Sequence, residues 1–302
     1  MAVDAKTSVP KSDTLIFSFP TPQILVIILN RPTSLNAIGT AGHWELHNTL
    51  EWYDSQPSLR CAIITGRGRA FCAGQDLKEW NTRNAESTNP DRSSGIFPPS
   101  GFAGVSRRTG KKPIILAVNG IAFGGGMEMV ANADIAVAGS RARFSLPEVK
   151  RGVVAIAGAL PRLVRSVGRA RAMDLSLTGR VLTALEAERW GIVSQIVDDH
   201  DENEKDDPVA ITDHKDIEKI VLKRKLTQKA LEIANEVAGN SPDSIIITKA
   251  GIGMGWEGIG AEEGSRLLVE QWGRKLNEGE NLREGVRAFV EKRVPRWRDS
   301  KL

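Results

Sequence analysis

Three segments of this 302-residue sequence carry residues suited to acid–base chemistry on a carbonyl compound. The first is Arg69-Ala70-Phe71-Cys72-Ala73-Gly74-Gln75-Asp76-Leu77, which places small residues and a glycine where a strand should end. The second is Val118-Asn119-Gly120-Ile121-Ala122-Phe123-Gly124-Gly125-Gly126-Met127-Glu128, where glycines end a strand and open a helix. Glycine lets a ligand approach the backbone closely, and a helix start offers N–H groups without intrahelical acceptors and a partial positive charge. Two such amides from separate strands would make a site for a developing oxyanion. The third is Phe144-Ser145-Leu146-Pro147-Glu148. Glu128 and Glu148 together supply two carboxyl groups, which can divide general acid and base work. Each also has a structural explanation when taken alone. Glu128 would sit in a first helical turn, where the macrodipole favours an acid, and Ser145-Leu146-Pro147-Glu148 fits a capping box.

Other spacings lead to weaker chemistry. His43 and His47 stand at i and i+4, but Trp44 occupies the place where a metalloprotease helix needs Glu. They share a face with Leu46 and Leu50, so they read as packing or surface histidines, and no metal is expected. Gly253-Met254-Gly255-Trp256-Glu257-Gly258 fits G-x-G-x-x-G after the apolar run Ile245 to Ile247. The residues beyond Gly258 are charged and helical rather than a second strand, so the glycines read as turns between helices. No Walker lysine comes after a glycine run, and no G-x-S-x-G is present.

The elements that must position these residues can be read from the apolar pattern. Thr14 to Phe19 and Ile24 to Asn30 read as strands joined through Pro20-Thr21-Pro22. Ala37 to Tyr53 has helical spacing, Cys61 to Thr65 reads as a buried strand, and Pro113 to Val118 as another. A helix should run from the glycines to about Asn132, with a strand after it at Ile135 to Ala138. Asn81 to Lys112, polar and rich in Ser, Pro and Gly, reads as a long mobile loop. Strands alternate with helices to about Val197, which predicts an α/β core over residues 14–200. Asp198 to Asp216 reads as a solvated linker, residues 215–302 as a helical C-terminal region, and residues 1–13 as a flexible leader.

Composition narrows the class. With 41% hydrophobic and 26% charged residues, the chain is neither fibrous nor wholly disordered. No apolar run is long enough to span a bilayer. Two cysteines make no disulfide framework. A net charge of +4 is too mild to imply nucleic acid and suits an anionic small molecule. Ser300-Lys301-Leu302 is the tripeptide read by the peroxisomal import receptor at a free carboxyl terminus, so a peroxisomal location is expected for a eukaryotic chain.

Taken together the segments resemble the enoyl-CoA hydratase/isomerase family, also called the crotonase family. The likeness begins at Leu29-Asn30-Arg31-Pro32 and Leu35-Asn36-Ala37, runs through Ala73-Gly74-Gln75-Asp76 and Gly124 to Glu128, and reaches Pro147-Glu148. It continues at Leu175, Thr178-Gly179, Ala184 and Gly191-Ile192-Val193, and ends at Phe289, Glu291-Lys292-Arg293, Pro295 and Trp297. The resemblance implies a spiral of β-β-α units, a helical C-terminal region that packs homotrimers or homohexamers, and an acyl-CoA substrate with no cofactor. It implies that the backbone N–H groups of Gln75 and Gly125 grip the thioester oxygen, with Ala73, Gly74, Asp76, Leu77 and Gly124 around the substrate. It places Glu128 and Glu148 where the family's hydratases keep their two catalytic glutamates, for reversible syn hydration of a 2-enoyl-CoA; we assign Glu128 to the water and Glu148 to the Cα proton, with the reverse order open. Double-bond isomerisation, which needs one base, is the near alternative. Binding of RNA, through Lys223, Arg224, Lys225 and Lys229, is a distant one.

One stretch departs from the family. Where its hydratases often carry a Pro-Gly-x-Gly-Gly turn, this chain has Val153-Val154-Ala155-Ile156-Ala157-Gly158-Ala159. Ile156 would be bulkier beside the acyl chain, which points to a branched or polar acyl group. The fungal peroxisomal members of siderophore and related secondary metabolism look like this, with substrates such as mevalonyl-CoA. Arg31 and the Arg107 to Lys112 cluster are the expected sources of cations for the CoA phosphates.

Overall fold

The computed structural model describes residues 9–86, 96–199 and 209–302, with residues 83–86 described by backbone alone. β1 (Leu15–Thr21) and β2 (Ile24–Leu29) form an antiparallel hairpin. Every residue of β2 is buried. Leu25, Ile27 and Leu29 enter one core while Ile24, Val26 and Ile28 enter another, and this is why the strand reads as an unbroken apolar run.

After the helix α1 (Thr40–Ser55) the chain repeats one unit. β3 (Cys61–Gly66) and β4 (Ala70–Cys72) lead to α2 (Leu77–Glu86); β5 (Ile114–Val118) and β6 (Ile121–Phe123) lead to α3 (Gly125–Val130). β7 (Ile135–Gly139) and β8 (Arg143–Ser145) lead, through the 3-10 turn Glu148–Arg151, to α4 (Ala159–Thr178). β9 (Leu182–Thr183), α5 (Ala184–Arg189) and β10 (Gln195–Val197) complete the core. The first strand of each unit joins a six-stranded sheet ordered β1-β2-β3-β5-β7-β10, and the second joins a four-stranded sheet ordered β4-β6-β8-β9. Successive units stack in parallel, β3 on β5 on β7 and β4 on β6 on β8. The fold is the expected β-β-α spiral. Stacking puts the bends that leave β4 and β6 side by side, and the site is built there.

The remaining chain is helical: α6 (His214–Lys223), α7 (Lys225–Ala238), α8 (Pro242–Trp256), α9 (Ala261–Leu268), a π turn at Val269–Gly273, α10 (Arg274–Glu278) and α11 (Glu280–Val290). Ile217 and Val221 of α6 and Leu226, Ala230 and Ala234 of α7 cover the outer face of the large sheet, against Ile24, Ile63, Ile115 and Val137. No helix among the described residues is long and apolar enough to cross a membrane.

Several expectations are corrected. The expected loop from Asn81 holds the end of α2, and from Ile96 onward it is packed core, with Phe102, Ala103, Val105 and Ser106 buried. Its polar residues are used inside: Ser106 Oγ donates to Ala157 O and accepts from Phe102 N–H. Residues 87–95 lie outside the described ones. Gly253 and Gly255 are not turns between helices but part of α8, which is capped by Glu257, before Gly258 at φ +91°. Ser145 is not a capping residue, because it belongs to β8 and its hydroxyl donates to Gly179 O. Asp199 is not solvated linker: it is buried and accepts from Ser140 Oγ. Ser12, within the expected leader, donates to Glu45.

The basic cluster is corrected too. Arg108 and Lys112 are buried; Arg108 pairs with Asp54, and Lys112 Nζ donates to Tyr53 O. Burial lowers the Lys112 ammonium to about 8. These two cations hold the end of α1 in place and are not available to phosphates. Lys111 Nζ donates to Leu302 O, and Ser300 Oγ donates to Asp243, so the C-terminal tripeptide lies against the body.

Candidate active site

The bend after β4 is pinned through Ile38. Ile38 N–H donates to Gly74 O at 2.9 Å, and Asp76 N–H donates to Ile38 O at 2.9 Å. In a parallel ladder the residue bracketed in this way turns its own N–H to the opposite side, so Gln75 N–H faces away from Ile38. Asp76 locks the bend from below. Its Oδ1 accepts from the N–H groups of Lys78 and Glu79 at the start of α2, and its Oδ2 pairs with Arg31 at 2.9 Å. Partial burial pushes the Asp76 carboxyl up, but the Arg31 guanidinium and these amides outweigh it and hold it below its usual range. Arg31 also donates to Ala37 O, so it braces this bend.

The bend after β6 touches the first. Gly124 is the cap of α3, so the N–H of Gly125, the first helical residue, has no acceptor within the helix. Gly74 has φ +98°, and a β-carbon there would stand 2.8 Å from Phe123 O and 3.2 Å from Gly125 N. Only glycine fits this conformation and this approach. The two bends are therefore in contact, each with an amide that has no acceptor among the described residues. Ala73 is half-buried and Leu77 is 48% exposed, at the rim.

Both glutamates meet here. Glu128 lies in the first turn of α3 and is 3% exposed. Its Oε1 accepts from Ala157 N–H at 3.1 Å and from Ala159 N–H at 3.4 Å. Burial pushes its carboxyl up to about 7, and the charge of Glu148 adds to the rise, while the amides at residues 157–159 restrain it. Glu148 opens the 3-10 turn, and its Oε1 lies against Gly124, where a β-carbon would approach to 3.1 Å. Its Oε2 is buried and has no hydrogen-bond partner among the described residues. Burial raises this carboxyl as well. A buried, unpartnered carboxyl oxygen is costly unless a ligand completes it.

The departing stretch serves Glu128 through its backbone. Gly158 sits at φ +130°, the one position of residues 153–159 in the left-handed half of the map, and it alone remains glycine. Ala157 and Ala159 flank it and still deliver their amides to Glu128. Ile156, expected to narrow the acyl site, is 67% exposed; Ala155 and Ala157 turn inward.

One contact was not legible in the sequence. His43 and His47 do not converge on a common point. His47 Nδ1 bonds Ser100 Oγ, whereas His43, wholly buried, bonds Gln75 Oε1 through Nε2 and accepts Ala103 N–H on Nδ1. Burial pushes the His43 imidazole down to about 4, so it is neutral. The signal available was a polar Gln in an otherwise small-residue segment, facing a histidine on a buried helical stripe.

A β-β-α spiral, two touching bends whose amides have no acceptor among the described residues, and two carboxyls, one buried and one half-buried, define the class: the chain belongs to the enoyl-CoA hydratase/isomerase family, whose model matches residues 21–207. It is an enoyl-CoA hydratase-like enzyme that acts on a CoA thioester. It is 47% identical over 293 residues to a mevalonyl-coenzyme A hydratase of Aspergillus fumigatus, covering 97% of this chain and 98% of that protein. It is 47% identical over 288 residues to a mevalonyl-coenzyme A hydratase of Beauveria bassiana, covering 94% and 95%. A solved enoyl-CoA hydratase from Bacillus anthracis superposes with a TM-score of 0.77 at 29% identity, covering 95% of this chain and 100% of that one.

Proposed function

We propose that this enzyme hydrates and dehydrates a branched, oxygenated acyl-CoA, with mevalonyl-CoA as the hydrated form. The observation that carries the reading is the convergence of the buried Glu128 and the half-buried Glu148, whose Oε2 has no partner among the described residues, on the bends that bear the amides of Gln75 and Gly125. The relatives named for mevalonyl-coenzyme A supply the acyl group.

The amides of Gln75 and Gly125 take the thioester oxygen as negative charge builds there. One such donor is worth about 2.7–4 kcal/mol in comparable sites. Glu128, ionised, accepts a proton from water as the water oxygen bonds C3. The π electrons of the double bond move towards the thioester, and Glu148, protonated, delivers its proton to C2. Dehydration runs the same steps backwards. No electrons pass to an acceptor, so the reaction needs no redox group. Isomerisation needs one base, and the second carboxyl favours hydration over it.

Assembly as a homotrimer or homohexamer is part of the same proposal. Phe289 and Val290 at the end of α11, and Val294 just beyond it, are 86%, 73% and 83% exposed in the single chain, and such apolar side chains favour a covering partner.

The test of function is incubation with a 3-methyl-2-enoyl-CoA in oxygen-18 water. Hydration yields a 3-hydroxyacyl-CoA carrying one solvent oxygen. A shifted double bond with no label would identify an isomerase instead.

A further inference from the structure

We propose that the side-chain amide of Gln75, held by His43, determines specificity by donating a hydrogen bond to a hydroxyl on the acyl chain beyond the reacting carbons. This inference rests on the proposed function and deepens it.

The orientation of the amide is set by a chain of assigned protons. His43 Nδ1 accepts from Ala103 N–H at 3.1 Å, so the ring proton is on Nε2. Nε2 then donates to Gln75 Oε1 at 2.8 Å. The ring cannot turn, because Phe97 and Phe102 pack on it with centroids at 4.9 Å and 4.6 Å. A planar amide whose oxygen is held on one side presents its NH2 on the other. Gln75 Nε2 has no hydrogen-bond partner among the described residues, and Gln75 is only partly buried, so two donors are free on the side away from His43.

Position makes these donors useful. The main chain of Gln75 supplies one of the two amides for the thioester oxygen, so its side chain starts within one residue of the reacting group. The ring of Phe102, packed on His43, also lies against Gly125, where a β-carbon would stand 2.2 Å from it. A wholly buried histidine is an expensive way to fill a core. Its two ring nitrogens are both satisfied, and what they achieve is a fixed amide.

A donor with no partner in the free enzyme rejects an acyl group that brings no acceptor, because binding would leave the amide desolvated and unpaired. A mevalonyl group has a second hydroxyl, at C5, besides the one at C3. A straight hydrocarbon chain has none.

The experiment compares kcat/KM for 5-hydroxy-3-methylpent-2-enoyl-CoA with that for 3-methylpent-2-enoyl-CoA, which differ only in the distal hydroxyl, using the full chain. The wild type should favour the hydroxylated substrate by roughly three- to tenfold, the worth of one neutral hydrogen bond. Gln75→Met and His43→Phe should bring the ratio near one. His43→Gln, which can still donate towards Gln75, should recover part of it. The ratio is the readout, so a general loss of activity or folding does not imitate the effect. A wild-type ratio near one, or a ratio unchanged in Gln75→Met, overturns the inference while leaving hydration intact. Absence of hydration with both substrates contradicts the proposed function itself.

Discussion

The carboxyl group of Glu148 lies over the bend at Gly124, so close that a β-carbon on that glycine would stand 3.1 Å from Oε1. The distance couples the proton donor to the bend that carries Gly125 N–H. Gly124→Ala, at φ +55°, would strain the backbone and push the carboxylate aside together. We expect kcat to fall by about 10² with CoA binding kept, since misplacement by roughly 1 Å has that effect. Steady-state kinetics beside a CoA titration check this; an unchanged kcat would contradict it.

The pH profile should report the pair. The working state holds one proton, on Glu148, with Glu128 ionised. Both carboxyls are raised by burial and titrate together. The pair's last proton, held chiefly by Glu128 at rest, leaves above about pH 7, and none then remains for Glu148 to deliver. kcat/KM should therefore decline on the alkaline side of about 7 and again in acid. A profile flat across both ranges would disagree.

Glu128→Gln should stabilise the fold in a pH-dependent way. The carboxyl sits near 7 in the folded chain against an ordinary 4.5, so the folded state holds the proton more tightly. Raising the pH from about 4.5 to about 7 ionises the unfolded chain first and removes stability. Glutamine keeps an acceptor for the Ala157 and Ala159 amides and never ionises. Its gain in Tm should be several degrees at about pH 8 and smaller at about pH 5. An equal gain at both would remove the burial argument.

Ala159→Pro isolates one amide. Ala159 is the first residue of α4, a place where proline is well tolerated. The change deletes the N–H that reaches Glu128 at 3.4 Å. That amide restrains the carboxyl, so its loss should move the alkaline limb upward and lower kcat severalfold, with circular dichroism unchanged. A limb that stays in place would show that this amide does not act on Glu128.

The legible parts of the chain were those where residue type reports environment. β2, β3 and β5 are buried on both faces and read directly as apolar runs. The glycines before Glu128 marked the second bend. β4, β6 and β8 have three residues each, too short for any period to show, although they place both bends. The amides of Ala157 and Ala159 left no mark, because a backbone donor has no residue type. The pairing of His43 with Gln75 crosses 32 positions, while the i,i+4 spacing to His47 drew attention to a metal instead.

The central claim is that Glu128 and Glu148 share the proton work at one thioester. The direct measurement is turnover of a 3-methyl-2-enoyl-CoA by Glu128→Gln and by Glu148→Gln, beside binding of the saturated CoA thioester. Each variant should lose about 10²–10⁴ in kcat while binding stays within a few fold of the wild type. Undiminished turnover in either variant would contradict the account.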